Sequence, residues 1–202
     1  IKAIPLVLVY GWGGNWTTWT DMLTEATGDE KFNQLAEEFK SSKLSKKEKV
    51  QVAKKAVELA KSYNIYIYDY SNKFATASDK KEYPLSLFKP DVIAPDLKQF
   101  LIDNELFEKD FNVVTHSMGG LVVRETVQNF DVKIKKLAMI APPNMGTEVA
   151  DKYSWLFSME SAVHYMRTDS QEIANINSTQ GLMNLTRNIG EIKIYGATHD
   201  EA

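Results

Sequence analysis

The sequence contains no cysteine, which excludes a disulfide framework and any thiolate nucleophile. It has no apolar run near the ~20 residues that span a bilayer and no segment patterned like a secretory signal. The charge imbalance that marks many nucleic-acid binders is missing too: 24 Lys and Arg stand against 27 Asp and Glu, a net charge of −3. Histidine is scarce, with three residues. What is present is 202 residues, 44% hydrophobic and 25% charged, the composition of an ordinary globular domain. That length can bury a sizeable core, and a single domain over 1–202 is the expectation. Lack of cysteine suits a reducing cytoplasm and equally a secreted protein without disulfides, so composition leaves the compartment open. The sequence opens at Ile1 without Met, directly into a strand-like run, and the expectation is that upstream residues were processed or trimmed.

Apolar runs alternate with helical patterns along the chain. Ile4–Tyr10 is a continuous apolar run of the kind that suits a parallel strand covered on both faces. A loop of glycines and large aromatics follows, Gly11-Trp12-Gly13-Gly14-Asn15-Trp16. Thr20 or Asp21 can cap the next helix, and 29–39 read as a further helical piece. Residues 40–61 carry eight lysines against two glutamates. Val50, Ala53, Val57 and Ala60 fall at helical spacing, which predicts an amphipathic helix with a basic outer face. A solvated face is the plain reading, and contact with an anionic membrane or polymer is the alternative. Asn64–Tyr70 reads as a second strand, 71–90 as a loop, and Pro90-Asp91 opens a helix through Leu101. Lys136–Ala141 and Ile192–Tyr195 read as further strands, with 147–186 mainly helical between them. Such alternation predicts a mostly parallel sheet with helices on both faces, and its sites lie beyond the carboxyl ends of the strands.

One stretch organises the rest: Phe111-Asn112-Val113-Val114-Thr115-His116-Ser117-Met118-Gly119-Gly120-Leu121. A short β-branched run leads into a turn with a serine at its tip, then into a helical pattern. Ser-x-Gly-Gly alone is an ordinary turn; strand before and helix after make it a nucleophile elbow, with Ser117 raised above the sheet. A serine needs a base beside it, and the oxyanion that follows its attack needs preorganised donors. The Met118 N–H, at the start of the helix, is one candidate. The second is the Trp12 N–H, in a loop where Gly11 permits close approach. A phosphate cradle would want a dinucleotide fingerprint or a P-loop lysine, and neither is present.

With these motifs in hand, the chain resembles the α/β-hydrolase superfamily, and most of all its small lipase and esterase branch. The resemblance rests on Val9-Tyr10-Gly11-Trp12-Gly13-Gly14, on His116-Ser117-Met118-Gly119-Gly120-Leu121-Val122, and on Ile140-Ala141-Pro142-Pro143-Asn144-Met145-Gly146-Thr147. It implies an α/β-hydrolase fold with a helical cap at about 147–186, and a serine ester hydrolase with Ser117 as nucleophile. Gly11, Trp12 and Met118 would form the oxyanion and substrate site, and Asp200, after the last strand, would be the acid. It requires neither metal nor cofactor, and its partner would be a small ester or lipid. Tyr10 stands where many relatives have histidine, and Thr115 where the elbow usually has glycine, so a β-branched side chain must fit beside a tight turn.

The base is the larger departure. Superfamily order runs Ser, acid, His, and only Glu201 and Ala202 follow Asp200. His116 reads as structural and His164 as surface or cap packing; His199 could serve only if its loop curls inward. The expectation is therefore that the C-terminal strand and the catalytic histidine lie outside this sequence. Trp155, Met159, Ala162 and Met166 fall at i, i+4, i+7 and i+11, one stripe of a helix that would dock on the body or line an acyl pocket with Trp12, Trp16 and Trp19. Two rivals keep the fold: a binding module without turnover, and an acyltransferase, thioesterase or amidase using the same serine. Sequence does not separate them, because the pocket and not the triad chooses the substrate. Oligomeric state is likewise open.

Overall fold

Each alternation of apolar run and helical pattern produces a strand and its crossover. A computed structural model of the chain describes residues 3–159 and 161–196. Strand β1 (Leu6–Val9) leads through a 3₁₀ turn (Trp16–Trp19) to α1 (Thr20–Thr27), α2 (Lys31–Lys40) and α3 (Lys46–Ser62). Then come β2 (Ile65–Ile67), the short strands β3 (Phe74–Thr76) and β4 (Glu82–Pro84), and α4 (Pro90–Asp103). β5 (Asn112–His116), α5 (Gly119–Phe130) and β6 (Ile134–Ile140) follow. Four short helices, α6 (Glu148–Tyr153), α7 (Ala162–Tyr165), α8 (Gln171–Ile176) and α9 (Thr179–Asn188), lead to β7 (Ile189–Tyr195).

The described residues form a five-stranded sheet in the order β2-β1-β5-β6-β7, parallel throughout, with Val7 opposite Tyr66 and Val113, and Val113 opposite Leu137. β1 and β5 lie side by side at its centre, so the loops that leave their carboxyl ends are neighbours. Val7, Val9, Phe111 and Val113 meet Leu97 and Leu101 of α4 and Val123 and Val127 of α5. Leu8, pointing to the opposite face, is equally buried, as a strand covered on both sides requires. Each such side chain withdrawn from water contributes about 1.5–3 kcal/mol.

Several expectations need correction. Residues 71–90 are not all loop: β3 and β4 form an antiparallel hairpin pairing Phe74 with Pro84. Helix α1 is not capped by Thr20 or Asp21. It continues from the 3₁₀ turn, whose start is capped by Asn15 Oδ1 accepting from Thr17 N at 2.9 Å. The basic helix begins at Lys46, where a capping box joins Ser45 and Glu48. Its buried seam is Val52, Ala53, Ala56 and Ala60, with Val50 and Val57 at the margin. Lys46, Lys47, Lys54, Lys55 and Lys61 face outward. The stripe Trp155–Met166 is not one helix face. α6 ends at Tyr153 and Ser161 caps a new helix, so Trp155 and Met159 are exposed while Ala162 and Met166 are buried. No helix among the described residues is long and apolar enough to cross a membrane.

Candidate functional site

The turn between β5 and α5 places Ser117 at φ +52°, a left-handed conformation that non-glycine residues adopt rarely. Two glycines permit it. A β-carbon at Gly119 would stand 2.3 Å from the Val9 carbonyl oxygen, so α5 can begin against β1 only because that atom is missing. A β-carbon at Gly120 would stand 3.3 Å from Thr115 Oγ1. The space released at Gly120 thus receives the Thr115 side chain, which is fully buried and whose hydroxyl has no partner among the described residues. The Ser117 N–H donates to the Ile140 carbonyl at 2.8 Å, which ties the turn to the end of β6. Ser117 itself is half-buried, and its hydroxyl has no hydrogen-bond partner among the described residues.

The aromatic-glycine loop lies directly against this turn. A β-carbon at Gly11 would stand 2.8 Å from Ser117 Cβ and 3.1 Å from Met118 N. Among the described residues, neither the Trp12 N–H nor the Met118 N–H has an acceptor. The loop is held from behind. The Gly14 N–H donates to the Gly11 carbonyl at 3.1 Å, and the Gly13 N–H donates to the Ser86 carbonyl at 3.4 Å. Tyr10 is fully buried beneath it, its hydroxyl donating to Asp69 Oδ1 at 2.6 Å. Burial first, then the Asp69 charge, pushes the Tyr10 phenol well above its ordinary range.

Beyond Trp12 opens a cavity of about 230 Å³, lined by Tyr83, Leu87, Phe88, Leu156 and Phe157 among others. Trp12 meets Phe157 edge to face, with ring centroids 5.7 Å apart. Trp16 and Trp19 do not line it, against expectation. Side chains three apart on a 3₁₀ turn share one face, and here that face is buried. The lining comes instead from the β3–β4 hairpin, the segment leading into α4, and the stretch after α6, all distant from Trp12 in sequence.

No protein-family model and no curated protein sequence matches the chain. Solved structures do. Phospholipase PlaB from Legionella pneumophila is similar over 98% of this chain and 40% of its own, with a TM-score of 0.57 and 17% identity. The same phospholipase in complex with thio-NAD is similar over 87% and 33%, at 0.53 and 16%. The mature lipase BlEst2 from Bacillus licheniformis covers 89% of this chain and 62% of its own, at 0.46 and 13%. The fold is the α/β-hydrolase fold. The chain spans about two fifths of the length of PlaB.

Ser117 stands in the turn between β5 and α5, with Gly11 packed against it and against the Met118 N–H. Asp200 and His199 lie outside the described residues. Of the other histidines, His116 is exposed at the end of β5. His164 Nε2 is 3.0 Å from the Phe157 carbonyl, so it supports the cavity wall. No group of three or more carboxylates or histidines among the described residues could hold a metal.

Arg124 carries a role that sequence analysis missed. It is buried in α5, donating from Nη1 to Asn144 Oδ1 at 3.0 Å and from Nη2 to the Ile176 carbonyl and Asn177 Oδ1 at 2.7 and 2.8 Å. Asn177 Nδ2 closes the set by donating to the Asn144 carbonyl at 2.7 Å. Helix α5, the loop after β6 and the segment after α8 are thus joined at one guanidinium, whose burial lowers its pKa. The signal was available: Arg124-Glu125 interrupts an otherwise apolar helix face. Glu125 is buried beside it, accepting from Tyr165 and from Asn129, and desolvation raises its pKa.

Proposed function

We propose that the protein is a serine hydrolase cleaving carboxylic esters with an apolar acyl group through an acyl-enzyme on Ser117. The observation that carries this reading is the contact of the Gly11 backbone with the Ser117 turn, with the acceptor-free Met118 amide at that contact and the acceptor-free Trp12 amide next in the chain after Gly11. A base takes the Ser117 proton as its oxygen attacks the ester carbonyl. The two amides receive the oxyanion, and the base returns the proton to the departing alcohol. Water, deprotonated by the same base, then attacks the acyl-enzyme and frees the acid, and the base returns the proton to the Ser117 oxygen. The base is a histidine that the motif order places downstream of β7, oriented by Asp200. The apolar cavity beginning at Trp12 favours a hydrocarbon acyl group, and the phospholipase PlaB shares the fold.

The test is hydrolysis of p-nitrophenyl esters of increasing chain length. The expected result is turnover that Ser117→Ala abolishes and that rises from acetate to butyrate or longer. Equal rates for wild type and Ser117→Ala overturn the reading. A second reading, a binding module of this fold without turnover, is favoured by the lack of any hydrogen-bond partner for the Ser117 hydroxyl among the described residues. It predicts binding of esters without product. Transfer of the acyl group to an acceptor other than water would appear as ester or thioester product when alcohols or thiols are added. The outward lysines of α3 add a third measurable property: retention on anionic vesicles, lost at high salt.

A further inference from the structure

Tyr70 is fully buried and takes no part in the chemistry above, yet its hydroxyl reaches the backbone of the aromatic-glycine loop. It donates to the Tyr10 carbonyl at 2.7 Å and lies 3.5 Å from the Gly11 carbonyl. Tyr10 holds Tyr70 in return. The Tyr10 hydroxyl accepts the N–H groups of Tyr70 and Ser71, each at 2.7 Å. The two rings stack at 4.6 Å with planes 5° apart. Each side chain therefore fixes the backbone of the other across the carboxyl ends of β1 and β2. Burial, then the Asp69 charge, keeps the Tyr70 phenol protonated and able to donate.

The start of α5 confines the same carbonyl from another side: a β-carbon at Gly119 would stand 2.6 Å from the Tyr10 oxygen. The Gly11 carbonyl matters more directly. It belongs to the same planar peptide unit as the Trp12 N–H and points the opposite way. Fixing that carbonyl, between the Tyr70 hydroxyl and the Gly14 N–H, fixes where the Trp12 amide points.

We infer that Tyr70 is a positioning residue whose hydroxyl holds the Tyr10–Gly11–Trp12 backbone so that the Trp12 amide is set for an oxyanion before substrate binds. This rests on the serine-hydrolase reading. Preorganised donors act because they need no rearrangement during the reaction, so a loosened loop lowers kcat and leaves ground-state binding intact.

The test compares Tyr70→Phe with Tyr68→Phe. Both keep the stack, since Tyr68 lies on Tyr70 at 4.8 Å, but the Tyr68 hydroxyl donates to Asp96 at 2.6 Å and not to the loop. Tyr70→Phe is expected to lower kcat on p-nitrophenyl butyrate about 10-fold, part of the loss that follows removal of a donor outright. KM should stay within about twofold, and affinity for a trifluoromethyl ketone should fall by the same factor as kcat/KM. Tyr68→Phe should lose stability without that kcat loss. Should Tyr70→Phe fail to fold, Asp69→Ala loosens the same clamp by removing the acceptor of the Tyr10 hydroxyl, and it should lower kcat with KM unmoved. Overturning results are an unchanged kcat, equal kcat losses in both tyrosine variants, or unchanged ketone affinity. If wild type is labelled by a fluorophosphonate at Ser117 and these results follow, the Tyr70 role alone fails. If wild type neither labels nor turns over, the serine-hydrolase reading fails and takes the Tyr70 role with it.

Discussion

The turn around Ser117 and the helical segment between β6 and β7 border the same site and differ in how far side chains hold them. The turn is held by backbone against backbone, through atoms that glycines do not have: Gly11 against Ser117, Gly119 against the Val9 carbonyl. The segment 144–188 is held in large part by side chains, through Arg124 on Asn144 and Asn177 and through Tyr165 on Glu125, beside close backbone contacts such as Gly181 against the Ile176 carbonyl. Its apolar residues are divided, with Ala162 and Tyr165 buried while Met145, Trp155 and Met159 stand mostly in solvent. A backbone lock tolerates no added atom. A side-chain lock depends on burial and protonation, and an exposed apolar surface depends on neither.

The difference can be broken first at Gly119. Gly119→Ala places a β-carbon where the Val9 oxygen stands, and it should cost about 3 kcal/mol or more, at the top of the overpacking range. Loss of folded protein or a large fall in melting temperature by circular dichroism is the expected outcome; near-wild-type melting would show that the turn is not closed by backbone contact. Next is Arg124→Ala, which leaves the Asn144 and Asn177 amide oxygens without their donor and the buried Ile176 carbonyl with Gln128 as its side-chain donor. It should lower stability by about 3 kcal/mol in urea unfolding, with the segment 147–188 exchanging amide hydrogens faster than β1 and β5.

Glu125 sharpens the contrast through pH. Its folded pKa is raised by desolvation, so the folded state holds the proton more tightly than the unfolded chain does. Its contribution to stability is then fully present below the ordinary carboxylate pKa and is lost as pH rises through the raised value. Exposed carboxylates such as Asp131 and Glu191 have lowered values and act in the reverse sense. The stability difference between wild type and Glu125→Gln isolates the buried group: it should move against wild type as pH climbs past the ordinary carboxylate range. A pH-independent difference would contradict this. Smallest of all, Trp155→Ser should change stability by no more than about 0.5 kcal/mol, because Trp155 is 77% exposed. A larger loss in the melting curve would show that the residue is packed.

The same contrast explains what the sequence reveals. The strand-turn-helix unit around Ser117 and the parallel sheet were legible because local signals carry them: β-branched runs, paired glycines, and a serine at fixed offset. Thr115 looked like an obstacle because its accommodation depends on Gly120, five residues on and at the second position of a helix. The segment 147–188 was less legible. Trp155, Met159, Ala162 and Met166 match a helical period, but Ser161 caps a new helix and cuts the stripe in two. Trp16 and Trp19 suggested a pocket and went to the core, since nothing local says which way a 3₁₀ turn faces. Tyr70 and Arg124 act on residues distant in sequence, at positions 10, 144 and 177, and no spacing rule finds such partners.

Everything proposed for this site requires that Ser117 be a nucleophile. Incubation with a fluorophosphonate followed by peptide mass spectrometry tests this directly. The prediction is one covalent adduct on Ser117, absent from Ser117→Ala. A folded protein that takes up no adduct, or takes it up at another residue, would contradict it.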